Sequence, residues 1–188
     1  MKLLLGVTAS VAAKLTPKLV AAIVKAIPGV ELKVIATERS LYFFRREEIT
    51  VPLMTDKDEW PGAGYLKGNP IPHIDLGDWA DMLLIAPLTA DTLSDMAHGK
   101  ADKFLTSTVL AWPMEKQLIL APAMNTRMWE NPITQDNLQM VRDVYRARVV
   151  GPIKGQLACN TQGMGAMAQI DTIVASVVDT ATAPLLEK

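Results

Sequence analysis

Short apolar runs of strand length alternate along this chain with segments whose apolar residues recur at helical spacing. The strand-like runs cover residues 2–6, 31–36, 82–86, 117–120 and 148–150. The helix-like segments cover residues 11–27, 38–44, 89–98, 102–112, 133–145 and 171–178. Strands that alternate with helices predict an α/β fold, in which helices cover both faces of a parallel sheet.

Length and composition predict a single domain. The chain has 188 residues, of which 49% are hydrophobic, so residues 1–188 can bury one substantial core. Small residues near the C-terminus predict a flexible tail from about residue 180. Residues 50–72 and 154–167 lack sustained periodicity and are predicted to be long irregular loops, which are usually functional.

The charges and the single cysteine narrow the possible partners and location. The net charge is −1 with both signs interspersed, so we expect no nucleic acid partner. No run reaches the roughly 18 apolar residues of a membrane span, and we interpret the apolar start as a strand and helix, not as a signal peptide.

Cys159 is the only cysteine, which favours a reducing compartment, hence the cytoplasm. Two distant histidines and one cysteine give no metal-ligand spacing, so we expect no metal.

Hydroxyl-bearing turns follow three of the predicted strands. In residues 6–13, Thr8, Ser10 and backbone N–H groups are suited to an anion at a helix N-terminus. The fingerprint G-x-G-x-x-G is absent, so a single phosphate fits better than a pyrophosphate. The later turns carry Thr37, Ser40, Thr89 and Thr92. Because parallel strands end at one edge of a sheet, these turns are predicted to share a ligand.

Residues 121–132 read APAMNTRMWENP and place Asn125 just beyond the carboxyl end of a predicted strand. Open parallel sheets bind their ligands at that edge. A neutral amide in that position can orient a carboxylate without supplying a full countercharge. An ordinary strand-to-helix turn is the alternative interpretation, because Pro and Asn are common in turns.

Three side chains carry chemistry that works near neutral pH. His73 lies in the predicted loop before residues 74–79, and histidine can take or release a proton near pH 7; an isolated loop histidine is, however, more often structural. His98 ends a predicted helix and is expected to be a surface cap. Cys159 lies in a glycine-bearing loop suited to closing over a ligand, and a cysteine thiol is mostly protonated at pH 7.

Four separated motifs resemble the homo-oligomeric flavin-containing cysteine decarboxylases. In chain order they are HIDL at 73–76, APLTADT at 86–92, PAMN with MW at 122–129, and AC with GMGAMA at 158–168. The likeness covers roughly residues 2–178. It implies a single-domain, Rossmann-like flavoprotein that binds FMN and assembles as a homotrimer or a dodecamer, with flavin and substrate sites at subunit contacts.

The resemblance also implies roles for individual residues. Asn125 would bind the substrate carboxylate, His73 would act as a base or proton shuttle, and Cys159 would be the final proton donor. The implied FMN contacts are Thr8, Ser10, Val11, Thr37, Ser40, Phe43, Thr89, Ala90, Asp91, Thr92 and Ala123. The implied substrate contacts are Asn125, Met124, Met128 and Ala158. The implied reaction oxidises the thiol-bearing carbon to a thioaldehyde, releases carbon dioxide and reduces the resulting enethiol.

Two substrates and one non-catalytic function stay open at this point. The substrate is either 4′-phosphopantothenoylcysteine, on the route to coenzyme A, or the C-terminal cysteine of a ribosomal peptide. Cys159 favours the small molecule, because the peptide-modifying relatives release the enethiol without that donor. Flavin prenyltransferases share the fold but lack the PAMN and MW motifs. A flavin-binding regulatory subunit without turnover is the alternative from another class.

The chain departs from the usual pattern of this family at three places. Ala9 replaces a glycine of the first loop, Asp91 replaces an asparagine, and Asn160-Thr161 replaces Gly-Asp after the cysteine. The Asp91 change is expected to add a negative charge beside the flavin. The change at Asn160-Thr161 bears on recognition of the phosphopantothenoyl arm.

Overall fold

A six-stranded parallel sheet forms the centre of the molecule in a computed structural model that describes residues 1–60, 62, 64, 66–156 and 162–182. Its strands are β1 (Lys2–Val7), β2 (Glu31–Ala36), β3 (Leu53–Met54), β4 (Met82–Leu88), β5 (Gln117–Pro122) and β6 (Arg148–Val149). They lie in the order β3-β2-β1-β4-β5-β6, and every neighbouring pair is parallel. The predicted α/β fold is therefore confirmed.

Helices cover both faces of this sheet. They are α1 (Thr16–Ala26), α2 (Pro72–Trp79), α3 (Ala90–Ala97), α4 (Phe104–Leu110), α5 (Thr126–Trp129), α6 (Pro132–Tyr145) and α7 (Ile170–Thr182). Successive residues of β1 alternate between the two faces: Leu3 and Leu5 pack in one core with α1 and α7, whereas Leu4 packs in the other with α2, α3, α4 and α6. Because both faces are covered, the central strands read as continuous apolar runs.

The first predicted helix is divided into two parts. Residues Val11–Leu15 form a 3₁₀ helix, and α1 starts only at Thr16. Pro17 has no N–H to donate, so the α-helical hydrogen-bond pattern begins at the residue before it, and the Thr16 N–H instead bonds the carbonyl of Ala13. The helix predicted over residues 38–44 is likewise a 3₁₀ helix, Glu38–Tyr42.

The segment predicted as one loop over residues 50–72 contains regular structure. It holds the short edge strand β3 and a 3₁₀ helix at Asp56–Asp58. His73 was predicted to lie in a loop, but it lies in the first turn of α2, directly after Pro72. Proline at the start of a helix is a recognised signal, but two residues are too few for β3 to show a sequence period.

A second irregular loop, predicted over residues 154–167, contains an antiparallel hairpin. Its strands are β7 (Ile153–Gln156) and β8 (Gln162–Ala166). Gly165 has a φ of +137°, and a Cβ on it would lie 2.3 Å from the carbonyl oxygen of Met124. Its own carbonyl accepts the N–H of Met124 at 2.9 Å. Only glycine allows this contact, which joins the hairpin to the segment that carries Asn125.

The last helix extends further than its predicted end at residue 178. It continues to Thr182, because the Thr180 hydroxyl donates to the Ser176 carbonyl and also accepts from Arg148. The predicted flexible tail from about residue 180 stays a prediction, because residues 183–188 lie outside the described part of the chain.

Candidate active site

A cavity of about 730 Å³ lies at the carboxyl ends of β1, β2, β4 and β5. It spans β1 and β4, from which the strand order runs in opposite directions, and open α/β sheets bind ligands at such a position. Its volume is within the ~300–1,000 Å³ usual for small-molecule and cofactor sites. The sequence-predicted residues that line it are Ser10, Thr37, Thr89, Ala90, Asp91, Thr92, Ala123, Met124 and Met128.

Thr8 lies beneath the cavity and is not part of its lining. It is fully buried, its hydroxyl donates to the carbonyl of Pro87 at 2.7 Å, and the same oxygen accepts the N–H of Thr89 at 2.9 Å. The register of β4 shifts at this place, as expected where a proline interrupts a central strand. Thr8 thus holds the turn that begins with Thr89 in place.

Ser40, Val11 and Phe43 are also absent from the cavity lining. The hydroxyl of Ser40 is buried and donates to the Thr37 carbonyl at 2.6 Å, so it stabilises the turn after β2. Val11 is exposed, and Phe43 is half-buried against the core on the α1 side of the sheet. Spacing in the sequence places these residues near the sheet edge but does not define the direction of their side chains.

Thr37 differs from these residues because it belongs to the cavity lining. Its Oγ1 is buried and has no hydrogen-bond partner among the described residues. Buried hydroxyls are nearly always paired, and an unpaired one carries a desolvation cost of roughly 1–3 kcal/mol. A bound ligand with a polar group would satisfy it.

The cavity has a charged rim that sequence reasoning missed. Its members are Glu38, Arg39, Asp56, Lys100, Asp102 and Lys103. They come from three segments that are far apart in the sequence: residues 38–39, residue 56 and residues 100–103.

Ion pairs hold the two lysines of this rim against aspartates. Lys103 lies 2.5 Å from Asp95 and 3.2 Å from Asp91. Burial of Lys103 opposes its charge, but hydrogen bonds to Asp95 and Asp91 outweigh burial and raise its pKa. A hydrogen bond between Lys100 and Asp102 raises the pKa of the lysine and lowers that of the aspartate. The negative charge expected from Asp91 is thus paired with a cation.

Asp56 connects three parts of the site. Its carboxylate accepts the N–H of Phe104 at 3.0 Å and the N–H of Glu38 at 3.3 Å. These bonds attach the segment after β3 to the start of α4 and to the turn after β2.

Asn125 lies at the start of α5, directly after β5, as predicted. Its Oδ1 accepts the N–H of Arg127 at 2.9 Å, which caps the helix. Asn125 itself is absent from the cavity lining, whereas Ala123, Met124 and Met128 on either side of it belong to that lining.

His73 does not line the cavity within this single chain. Its Nδ1 lies 3.1 Å from Oε1 of Glu59, a buried carboxylate that sequence reasoning missed. His98, by contrast, is an exposed helix cap, as predicted, with Nδ1 2.9 Å from the Ser94 carbonyl. Ala158 and Cys159 lie outside the described residues, in the segment that connects β7 to β8.

Comparison with known proteins identifies the family. Residues 1–182 match the Flavoprotein family. The chain belongs to this family. It is 41% identical to mouse phosphopantothenoylcysteine decarboxylase over 176 residues, which cover 94% of this chain and 85% of the mouse protein.

Solved structures give the same result. One PPC decarboxylase mutant, complexed with pantothenoylaminoethenethiol, superimposes with a TM-score of 0.91 at 38% identity and covers 97% of this chain and 98% of its own. The FMN-binding protein AtHal3 gives a TM-score of 0.86 at 38% identity with the same coverage. Peptidyl-cysteine decarboxylase EpiD is more distant, with a TM-score of 0.73 and 22% identity. Its match covers 94% of this chain and 98% of the EpiD chain. The resemblance to flavin-containing cysteine decarboxylases is confirmed, as is the Rossmann-like fold.

Two features are absent from the part of the chain that the structure describes. No helix in them is long and apolar enough to cross a membrane. They also contain no group of three or more His, Cys, Asp or Glu side chains placed to hold a metal ion.

Proposed function

We propose that this chain decarboxylates 4′-phosphopantothenoylcysteine to 4′-phosphopantetheine, a step of coenzyme A biosynthesis, with FMN as cofactor. One observation carries the proposal: Ala123 and Met124 of the PAMN segment line a cofactor-sized cavity at the sheet edge, and Asn125 follows them directly in the chain. The 41% identity to the mouse decarboxylase and the superposition on a PPC decarboxylase complex support the choice of substrate. The enzyme class is that of a carbon–carbon lyase.

The cavity fits a flavin nucleotide. The unpaired, buried Oγ1 of Thr37 needs a polar partner, and the turns after three strands present hydroxyls and backbone groups beside it. The residues that would hold FMN are Ser10, Thr37, Thr89, Ala90, Thr92 and Ala123, with Thr8 supporting the turn at Thr89. When bound, FMN supplies the two-electron redox chemistry of the thiol-bearing carbon.

Asn125 would bind and orient the substrate carboxylate. Its Oδ1 accepts the N–H of Arg127, which fixes the orientation of the amide. A neutral donor orients the carboxylate while adding less ground-state stabilisation than a cation, which leaves a lower barrier to carbon dioxide loss. Met124 and Met128 supply an apolar wall that excludes water beside it.

We assign proton transfer to His73 and Cys159. His73 would move a proton at the substrate near neutral pH, and the Cys159 thiol would protonate carbon in the last reduction. The ligand of the similar PPC decarboxylase mutant is an ethenethiol, the kind of unsaturated thiol that this order of steps predicts before that reduction.

We further propose a homotrimer, in the cytoplasm, whose neighbouring subunit contributes His73 to each site. His73 is absent from the cavity lining of one chain, so a single chain leaves the site incomplete. Exposed Ile133, Met140 and Val144 recur at helical spacing on α6, and such apolar faces usually contact a partner. Sedimentation equilibrium would measure the assembly, and a monomer that turns over substrate would contradict this part.

Turnover of 4′-phosphopantothenoylcysteine by FMN-loaded protein, followed by mass spectrometry, tests the whole proposal. Wild type should give 4′-phosphopantetheine, and Cys159→Ser should accumulate a product about 2 Da lighter, because the final reduction lacks its proton donor. His73→Gln should lose activity by about 100-fold or more. His98→Gln is the matched control, since His98 is an exposed cap. Turnover of only a peptide with a C-terminal cysteine, or of neither substrate, would overturn the proposal.

A further inference from the structure

Glu59 is a buried acid outside the cavity that the mechanism above does not use. Its side chain is only 5% exposed, and its Oε1 lies 3.1 Å from Nδ1 of His73, whose side chain is 21% exposed. Burying a carboxylate is unfavourable unless a partner compensates its charge. At this position an apolar or amide side chain would fold at lower cost, so the acid needs an explanation.

The two facing atoms depend on one another. Oε1 of Glu59 and Nδ1 of His73 are both inaccessible to solvent, and neither has a hydrogen-bond partner among the described residues. They are close enough for a hydrogen bond but are not yet aligned for one. Catalytic hydrogen bonds are often poorly aligned without substrate and become shorter when it binds.

The backbone holds both side chains firmly. The segment before Glu59 is fixed by Asp56, which accepts backbone N–H groups from Phe104 and Glu38. It is also closed into a turn by Asp58, which accepts the N–H of Thr55 at 2.7 Å. His73 lies in the first turn of a helix. Side chains on such fixed elements can define a reactive geometry more accurately than side chains on loose loops.

We propose that Glu59 is the positioning residue of His73. Its carboxylate accepts a hydrogen bond from Nδ1–H, which fixes one tautomer and leaves the lone pair of Nε2 for the substrate. When Nε2 takes a proton, the ring becomes a cation beside the carboxylate, and when Nε2 returns the proton the neutral ring is restored. No other reactant is required. The inference rests on the role proposed for His73 above.

Histidine nitrogens are the direct readout of this proposal. Nitrogen-15 NMR of FMN-loaded, histidine-labelled protein reports which ring nitrogen carries the proton when the ring is neutral, and no substrate is needed. The chain has only two histidines, so His98→Gln assigns the His73 signals. We expect the Nδ1–H tautomer in wild type and a shift towards Nε2–H in Glu59→Ala. A purely structural role for Glu59 would not predict this shift.

Kinetics give the second readout. Glu59→Ala should lower kcat by about tenfold or more with little change in KM, because the ring is bound but no longer oriented. Glu59→Gln keeps an acceptor oxygen but not the charge. It should retain the Nδ1–H tautomer, with a kcat between those of wild type and Glu59→Ala. Glu47→Gln is the matched control, since Glu47 is an exposed acid near the same turn.

The outcomes separate this inference from the proposed function. An Nε2–H tautomer in wild type, or an unchanged tautomer and kcat in Glu59→Ala, would overturn the positioning role. If Glu59→Ala does not fold or bind FMN, Glu59→Gln decides: kcat and KM both equal to wild type would contradict any contribution of the charge. Wild-type protein with the Nδ1–H tautomer but no turnover would instead contradict only the proposed substrate.

Discussion

Thr8 and Thr37 are two buried threonines at neighbouring strand ends, and the protein uses them in opposite ways. Thr8, after β1, has its hydroxyl paired with Pro87 and Thr89. Thr37, after β2, has a buried hydroxyl without a partner among the described residues, and Thr37 belongs to the cavity lining. A polar group that the chain satisfies by itself stabilises the fold, whereas an unsatisfied one in a residue that lines a cavity is a candidate ligand contact.

The same difference separates other parts of the site. Ser40 resembles Thr8, because its hydroxyl is used by the turn that contains it. Glu59 and His73 resemble Thr37, because their facing atoms lack hydrogen bonds within the described chain. Substitutions of the first kind should therefore lower stability, and substitutions of the second kind should lower binding or turnover.

The largest expected effect is on the folding of Thr8→Val. Valine keeps the shape but removes two hydrogen bonds and leaves the Pro87 carbonyl and the Thr89 N–H buried without that partner. We expect the free energy of unfolding to fall by about 2–3 kcal/mol, measured by urea denaturation of the FMN-free protein. Thr8→Ser, which keeps the hydroxyl, should lower the free energy of unfolding by less than Thr8→Val. Equal stability of Thr8→Val and wild type would show that this hydroxyl is not structural.

Thr37→Val should give the opposite result. Stability without FMN should stay within about 0.5 kcal/mol of wild type, since no protein hydrogen bond is lost. The dissociation constant for FMN should rise about tenfold, corresponding to a lost hydrogen bond of roughly 1.4 kcal/mol. Flavin fluorescence titration measures this, with Thr37→Ser as the control that keeps the hydroxyl. Unchanged affinity would remove Thr37 from the flavin site.

Much of the fold was predictable because burial on both faces leaves a direct mark on the sequence. The central strands β1, β4 and β5 are apolar runs of the right length, and the placement of Asn125 followed from β5. The two-residue strand β3 and the β7–β8 hairpin were not predictable. One is too short to show a period, and the other depends on contact between Gly165 and Met124, which are distant in sequence.

The site was predictable only in part. Residue types and predicted strand ends placed Ser10, Thr37 and the turn at Thr89 correctly at the cavity. They could not distinguish Thr37, which lines the cavity, from Thr8, whose hydroxyl is paired within the fold. Lys103 and Glu59 were missed, because their partners are long-range contacts. A sequence pattern reports which residues share a sheet edge, whereas the direction of each side chain depends on packing across the fold.

The charged rim should contribute stability that is lost at high pH. Hydrogen bonds to Asp95 and Asp91 raise the pKa of Lys103 above its ordinary value of 10.5, so the folded state holds this proton more tightly than the unfolded state. The contribution is complete below about pH 10 and is lost as pH rises through the folded pKa. Urea denaturation from pH 8 to 11 should show a decline that is shallower in Lys103→Met. Parallel pH profiles would contradict the pairing.

Asp91→Asn should have the smallest effect, because Asp91, like Thr8, is a polar group that the chain itself pairs. Its side chain is 74% exposed and its charge is paired with Lys103, so we expect a stability change below about 0.5 kcal/mol. The dissociation constant for FMN should change less than about threefold, since the cation already balances this carboxylate. In the Lys103→Met background, however, Asp91 is unpaired, and Asp91→Asn should then tighten FMN binding. If Asp91→Asn tightens FMN binding equally with and without Lys103, the ion pair does not neutralise Asp91. Asp91 would then belong, like Thr37, with the polar groups that the chain leaves unpaired.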